Sequence, residues 1–152
     1  MIHADDELRE LLEDFFAREV NPDLVSSVER SGEWPADLWE RAKRVQIPSI
    51  GIAEQSGGVG GTLADVGTLV RAAAYRATPL PLLEHHLASW LVEQAGLVPV
   101  EGPLTFSGLG PDPVPPVVDG TISGRLEAVP WAGAVAGVVV LTTDGSGRDV
   151  VA

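Results

Sequence analysis

The sequence has no cysteine. That excludes disulfides, thiolate zinc sites and cysteine nucleophiles, and leaves the compartment open. Positive charge is scarce: ten basic side chains stand against twenty-two acidic ones, for a net charge of −12. Nucleic acids and anionic membrane surfaces need a basic footprint, so neither is an expected partner. Long apolar runs are missing too. The longest stretch, "AVPWAGAVAGVVVL" (Ala128 to Leu141), is too short and too glycine-broken to span a bilayer. The first residues, "MIHADDELRE", are acidic and do not read as a secretory leader. A cytoplasmic protein is the expectation. What remains is 152 residues with 45% apolar side chains, enough for one ordinary domain or two small ones.

Helical spacing dominates the first two-thirds. In "ADDELRELLEDFFAREV" Leu8, Leu11, Leu12, Phe15 and Phe16 recur at helical intervals, and Asp5, Asp6 and Glu7 occupy the first turn. Pro22 is read as the stop. "WPADLWERAKRVQIP" reads as a second helix between Pro35 and Pro48, with Trp34 and Trp39 pinning it to neighbours. A third begins at Thr62, with Asp65 completing a capping-box pattern and Val66, Leu69, Val70 and Ala73 facing inward. A fourth runs from about Pro81 to a cap at Gly96, with Trp90 on its apolar side.

The pattern changes after Gly96. "LVPVEGPL" and "GPDPVPPVVDG" hold six prolines, which exclude helix there. Asp119-Gly120 is a two-residue hairpin signal, and "VVVLTT" and "RDVVA" read as strands joined by "DGSG". Helices followed by strands, without alternation, imply an α+β protein. The expected architecture is an amino-terminal helical bundle domain (1–98) and a partial antiparallel β-domain (99–152). The strand-like ending at Ala152 is read as a truncated chain, or as a sheet that another chain completes.

The most conspicuous motif is "EQSGGVGGTLAD", in which four of the five residues from Gly57 to Gly61 are glycine. A phosphate loop would need lysine and Ser/Thr after the last glycine, but Thr62 and Leu63 follow. A dinucleotide fingerprint would need a third glycine where Leu63 stands. Locally the motif reads as an inter-helix turn. His85 and His86 are adjacent, so they cannot ligate one metal from consecutive turns, and they read as surface or interface side chains. No serine lies in a nucleophile elbow. Trp131, in "VPWAGA", is placed either to fill a core or to wall a planar ligand.

The order of these signals resembles the acyl-CoA dehydrogenase family. "LWERAKRVQIPSIGIAEQSGGVGGTLADVGTLVRAAAYRATPLP" is similar to its amino-terminal helical domain, with Gly51-Ile52-Ala53-Glu54 and Gly57-Gly58-Val59-Gly60 keeping the motif. Ala53 replaces the usual proline. "TISGRLEAVPWAGAVAGVVVLT" is similar to the middle β-domain of divergent, often actinobacterial, members.

The resemblance implies an α-domain, a β-domain and a carboxy-terminal helical domain. The last carries the catalytic glutamate and is absent from this sequence, so no catalytic residue is assigned. It implies an oxidoreductase whose cofactor is FAD, removing hydrogens from the α and β carbons of an acyl-CoA in fatty acid or steroid side-chain catabolism. It further implies a homo- or hetero-oligomer and electron-transfer flavoprotein as acceptor. Carried over position by position, "LTFSGLG" (Leu104 to Gly110) matches the first flavin loop, with Ser107 at the hydroxyl position. Val129-Pro130-Trp131 match the second, with Val129 at the flavin-stacking tryptophan and Trp131 at a hydroxyl. The E-P and S-D elements of the first loop are not present. Those departures fit a divergent enzyme or a non-catalytic subunit of a hetero-oligomer. A small acidic interaction module is the remaining alternative.

Overall fold

The computed structural model describes residues 4–98, 100–107, 114–144 and 146–152. Among the described residues, five α-helices precede the strands: α1 (Ala4–Glu19), α2 (Pro22–Ser31), α3 (Ala36–Arg44), α4 (Leu63–Tyr75) and α5 (Leu82–Gln94). The strands are β1 (Leu104–Ser107), β2 (Val117–Val118), β3 (Thr121–Ile122), β4 (Gly137–Thr143) and β5 (Asp149–Val151). The protein is therefore α+β, as expected. The chain forms two compact units, Met1–Leu82 and Leu83–Ala152.

In the first unit, α1 and α4 pack together around one apolar core. Phe16, Leu38 and Leu69 are fully enclosed there. Trp39 is buried and Trp34 tilts against it with ring centroids 6.1 Å apart, so this pair anchors α3 as expected. Glu19, at the end of α1, accepts from Arg41 Nε of α3 at 2.7 Å. Its carboxyl is held below the usual range by Arg18 first and Arg41 after it.

Pro22 does not simply stop α1; it starts α2. Asn21 accepts from the Leu24 amide at 2.9 Å as N-cap, and Pro22 supplies the preset φ of the first turn. The helix ends at Gly32 in the left-handed region. No residue of α2 is fully buried, and Leu24 and Val25 pack only partly against the core. On α4 the inward face is Leu69, Ala72 and Ala73, while Val66 and Val70 are half-buried.

The second unit places α5 against a sheet with strand order β1-β4-β5. Ala88 and Val92 of α5 pack with Leu104 and Val139. Gly96 turns left-handed after the helix, and Leu97 N–H reaches back to Val92 O at 3.0 Å. The expected antiparallel pairing occurs between β4 and β5 and within the β2–β3 hairpin. Asp119 and Gly120 both take positive φ in that hairpin, as a two-residue turn requires. The β1–β4 ladder is parallel, with Leu104 opposite Gly137 and Ser107 opposite Val140. The connection between these strands is long enough for a crossover, so no tight turn forces them antiparallel. Thr142 Oγ1 donates to Pro115 O at 2.7 Å, tying the segment before the hairpin to β4.

Candidate functional site

The glycine turn consumes its own hydrogen-bonding groups. Gly60 N–H donates to Ile52 O at 2.8 Å, Gly58 N–H to Ala53 O at 3.0 Å and Val59 N–H to Ser49 O at 3.1 Å. In return, Gly51 N–H donates to Gly60 O at 2.7 Å. Amides committed to backbone carbonyls cannot cradle a phosphate. The glycines serve close approach: a Cβ on Gly58 would fall on the Ile52 carbonyl, and one on Gly51 on the Val66 side chain. Thr62 and Asp65 then form the full capping box of α4. Asp65 Oδ2 accepts from Thr62 N at 2.6 Å, and Asp65 N donates to Thr62 Oγ1 at 3.3 Å. The Thr62 amide, and after it the hydroxyl, holds the Asp65 carboxyl below its ordinary range. The turn is thus the structural element read from the sequence.

Ser107 ends β1, largely buried, and makes no side-chain hydrogen bond among the described residues. Two residues back on the same strand face, Thr105 is fully enclosed and its Oγ1 has no hydrogen-bond partner among the described residues. Gly108, Leu109 and Gly110, the rest of the "LTFSGLG" match, lie outside the described residues.

Val129, Pro130 and Trp131 form the turn that leads toward β4. Val129 and Trp131 are half-buried and Pro130 is exposed. Trp131 holds φ +57 and Ala128 φ +52, and Ala134 N–H closes the turn onto Trp131 O at 2.8 Å. Left-handed backbone at a non-glycine residue costs roughly 1–2 kcal/mol, so this conformation is imposed by its surroundings. Ala136 N–H donates to Pro103 O at 2.7 Å, so this turn enters β4 at the Pro103 end of β1. Ser107 lies at the opposite end, three residues and about 10 Å further along. Ser107 and the Val129–Trp131 turn thus lie toward opposite ends of the β1–β4 pair.

His85 and His86 are both buried rather than superficial, with ring centroids 5.7 Å apart and edge-on. Leu104 N–H donates to His85 Nδ1 at 3.2 Å, so α5 satisfies a β1 amide. Burial, and then the neighbouring His86, pushes the His85 pKa down to about 4. Adjacent histidines gave no sequence sign of this role, because the amide they serve is 19 positions away. No cluster of His, Asp or Glu among the described residues has the form of a metal site.

Trp90 is not on the inward side of α5 but is 53% exposed. With Leu91, Leu97, Leu141 and Val151 it lines an open groove of about 890 Å³ within the second unit. The sequence expectation failed because apolar residues surround α5, so periodicity alone does not select its buried side. No described helix is long and apolar enough to cross a membrane.

Residues 3–97 match the family model "Acyl-CoA dehydrogenase, N-terminal domain". No curated protein matches the chain. Its fold is shared by solved structures, among them two with TM-scores of 0.80 or more. One is the ChsE4–ChsE5 complex from Mycobacterium tuberculosis, with a TM-score of 0.82 at 16% identity over all of this chain. The other is a variant of the Tcur3481–Tcur3483 steroid ACAD, with a TM-score of 0.80 at 20% identity over 97% of this chain. In both cases the chain spans 47% of the matched one.

Proposed function

The chain belongs to the acyl-CoA dehydrogenase family, matching its N-terminal domain over residues 3–97, and we propose from this that it contributes to FAD-dependent α,β-dehydrogenation of an acyl-CoA thioester. That family match is the observation that carries the reading. The domain division proposed is 1–98 for the helical domain and 99–152 for part of the middle β-domain. The cofactor-binding residues proposed are Ser107, Val129, Pro130 and Trp131. Ser107 brings a hydroxyl at the end of β1, suited to a flavin edge, and Trp131 brings a half-buried ring on a strained turn. Val129 and Pro130 bring apolar wall only. FAD supplies the hydride chemistry when bound; this chain would orient the ring and keep water from it.

One structural neighbour is titled a steroid ACAD, and the other is a complex of two different chains. On that basis the substrate class proposed is a steroid-derived acyl-CoA and the assembly a homo- or hetero-oligomer; the cytoplasm is proposed from the sequence. An electron-transfer flavoprotein is the proposed acceptor. A second reading, a non-catalytic subunit, is supported by Val129 standing where the resemblance calls for a stacking tryptophan and Trp131 where it calls for a hydroxyl.

The test is to purify the protein with co-expressed neighbouring chains and measure flavin absorbance, then its bleaching by a steroid acyl-CoA. Flavin that bleaches and is lost with Ser107→Ala or Trp131→Ala supports the first reading. Flavin retained unchanged in both variants supports the second. No flavin and no acyl-CoA binding in any assembly would overturn both.

A further inference from the structure

The sequence holds two Asp-Gly pairs, Asp119-Gly120 and Asp144-Gly145. Each carries a latent reaction, because glycine has no Cβ to shield its amide nitrogen from the preceding carboxyl. That nitrogen can attack the aspartate Cγ and close a five-membered imide. The local sequences, Thr121 after one pair and Ser146 after the other, do not rank the two. Their surroundings do.

Asp119 and Gly120 form the tip of the β2–β3 hairpin, and both are exposed. Among the described residues nothing donates to the Asp119 carboxyl, and the Gly120 N–H makes no hydrogen bond. A Cβ built on Gly120 would meet nothing within 4 Å, so the approach to its nitrogen is open. The flanking strands pair only Val117 with Ile122 and Val118 with Thr121, so little holds the tip rigid.

Asp144 is the opposite case. Its Oδ1 accepts from Ser146 N at 2.8 Å, Ser146 Oγ at 2.6 Å and Arg148 N at 3.1 Å. Its Oδ2 accepts from Arg148 Nε at 2.9 Å. The carboxyl is therefore held in one orientation, toward Ser146 and Arg148. It must also be protonated before one of its oxygens can leave as water. The Ser146 hydroxyl, and Arg148 after it, push its pKa down from 3.8 to about 2. Each unit of that shift leaves about tenfold fewer molecules protonated.

We propose that Asp119-Gly120 is a site of spontaneous isoaspartate formation in the folded protein, and that the turn around Asp144 protects the second pair. Gly120 N loses its proton and bonds to Cγ of the protonated Asp119 carboxyl. One Cγ–O bond breaks and water leaves. Water then opens the imide. Attack at the Asp119 main-chain carbonyl carbon breaks its bond to Gly120 N and leaves a free α-carboxylate, so the chain now runs through Cβ and Cγ. Attack at Cγ restores aspartate. Water is the only co-reactant. The isomer adds one carbon to the main chain of the turn, which removes the fixed register of Val118 against Thr121.

The test is to age the 152-residue chain at mildly acidic and at neutral pH. Peptide mapping with isoaspartate-resolving fragmentation then follows both pairs. Isoaspartate at Asp119, preceded by a species lacking one water, should build up at least about tenfold faster than at Asp144. Gly120→Ala should slow the Asp119 reaction severalfold. Ser146→Ala with Arg148→Ala, at exposed positions, should speed the Asp144 reaction about tenfold and leave Asp119 unchanged, with each single variant intermediate. Circular dichroism checks that the variants remain folded. In urea the two pairs should react at similar rates. Equal rates in the folded chain would overturn the proposal. So would an Asp119 that reacts only in urea, or an Asp144 rate unmoved by the single and double variants.

Discussion

His85 accepts the Leu104 amide through Nδ1, so its proton sits on Nε2 and the ring is neutral. Its pKa is depressed by burial to about 4, against an ordinary 6.5. A histidine whose folded pKa is lowered binds protons more readily when unfolded. Its contribution is therefore complete above about pH 6.5 and is lost as pH falls toward 4. At about 1.4 kcal/mol per pH unit, the loss should approach roughly 3 kcal/mol. Urea midpoints measured across this range should fall in the native chain and stay flatter in His85→Gln. Parallel curves for the two would show that His85 is not the responsible group. Thr62 makes a second, simpler case. Thr62→Ala removes the acceptor for Asp65 N and should cost about 1 kcal/mol. The denaturation midpoint should move with no change in denaturant slope, since no surface is newly exposed.

Among the elements, the glycine turn and α2 show what sequence patterns resolve and miss. The capping box at Thr62 was legible because its two partners are three residues apart. The need for glycine at position 58 was not, since the obstacle is the carbonyl of Ile52, reached only when the turn folds back. Gly58→Ala should therefore destabilise by about 1–3 kcal/mol through a backbone clash. Gly57→Ala meets open space and should cost only the strain of its φ of +87, on the order of 1 kcal/mol. Thermal melts of the pair distinguish crowding from conformation; equal losses would argue against the close-approach role. Helix α2 escaped the sequence reading because Pro22, read as the stop of α1, is in fact its first residue. Its signal was the Asn21-Pro22 pair. Asn21→Ala should lower stability by about 1 kcal/mol, read by urea titration, because it removes the bond to Leu24 N.

For the whole molecule, charge is the dominant long-range term. At −12 the folded state is more self-repelling than the expanded chain. Its exposed ion pairs, such as Arg9–Asp6 at 3.6 Å and Arg9–Glu13 at 3.5 Å, offset little of this. Raising ionic strength from about 0.01 M to 0.15 M shortens the screening length from about 30 Å to 8 Å. The melting temperature should rise over that interval. A fall would mean that attractive pairs outweigh the net repulsion.

The sequence alone determined the helix-then-strand order, the capped helices, the Asp119-Gly120 hairpin and the absence of a phosphate loop. Each depends on residues close together in the chain, where backbone geometry is set by immediate neighbours. It also carried the family resemblance, because the Gly51 to Gly61 motif is contiguous. Only the tertiary structure decided the parallel β1–β4 pairing, the buried bond from Leu104 to His85 and the outward position of Trp90. These depend on which distant segments come to lie against one another. A helix apolar on every side does not declare which side packs. A strand with a long connection does not declare its direction.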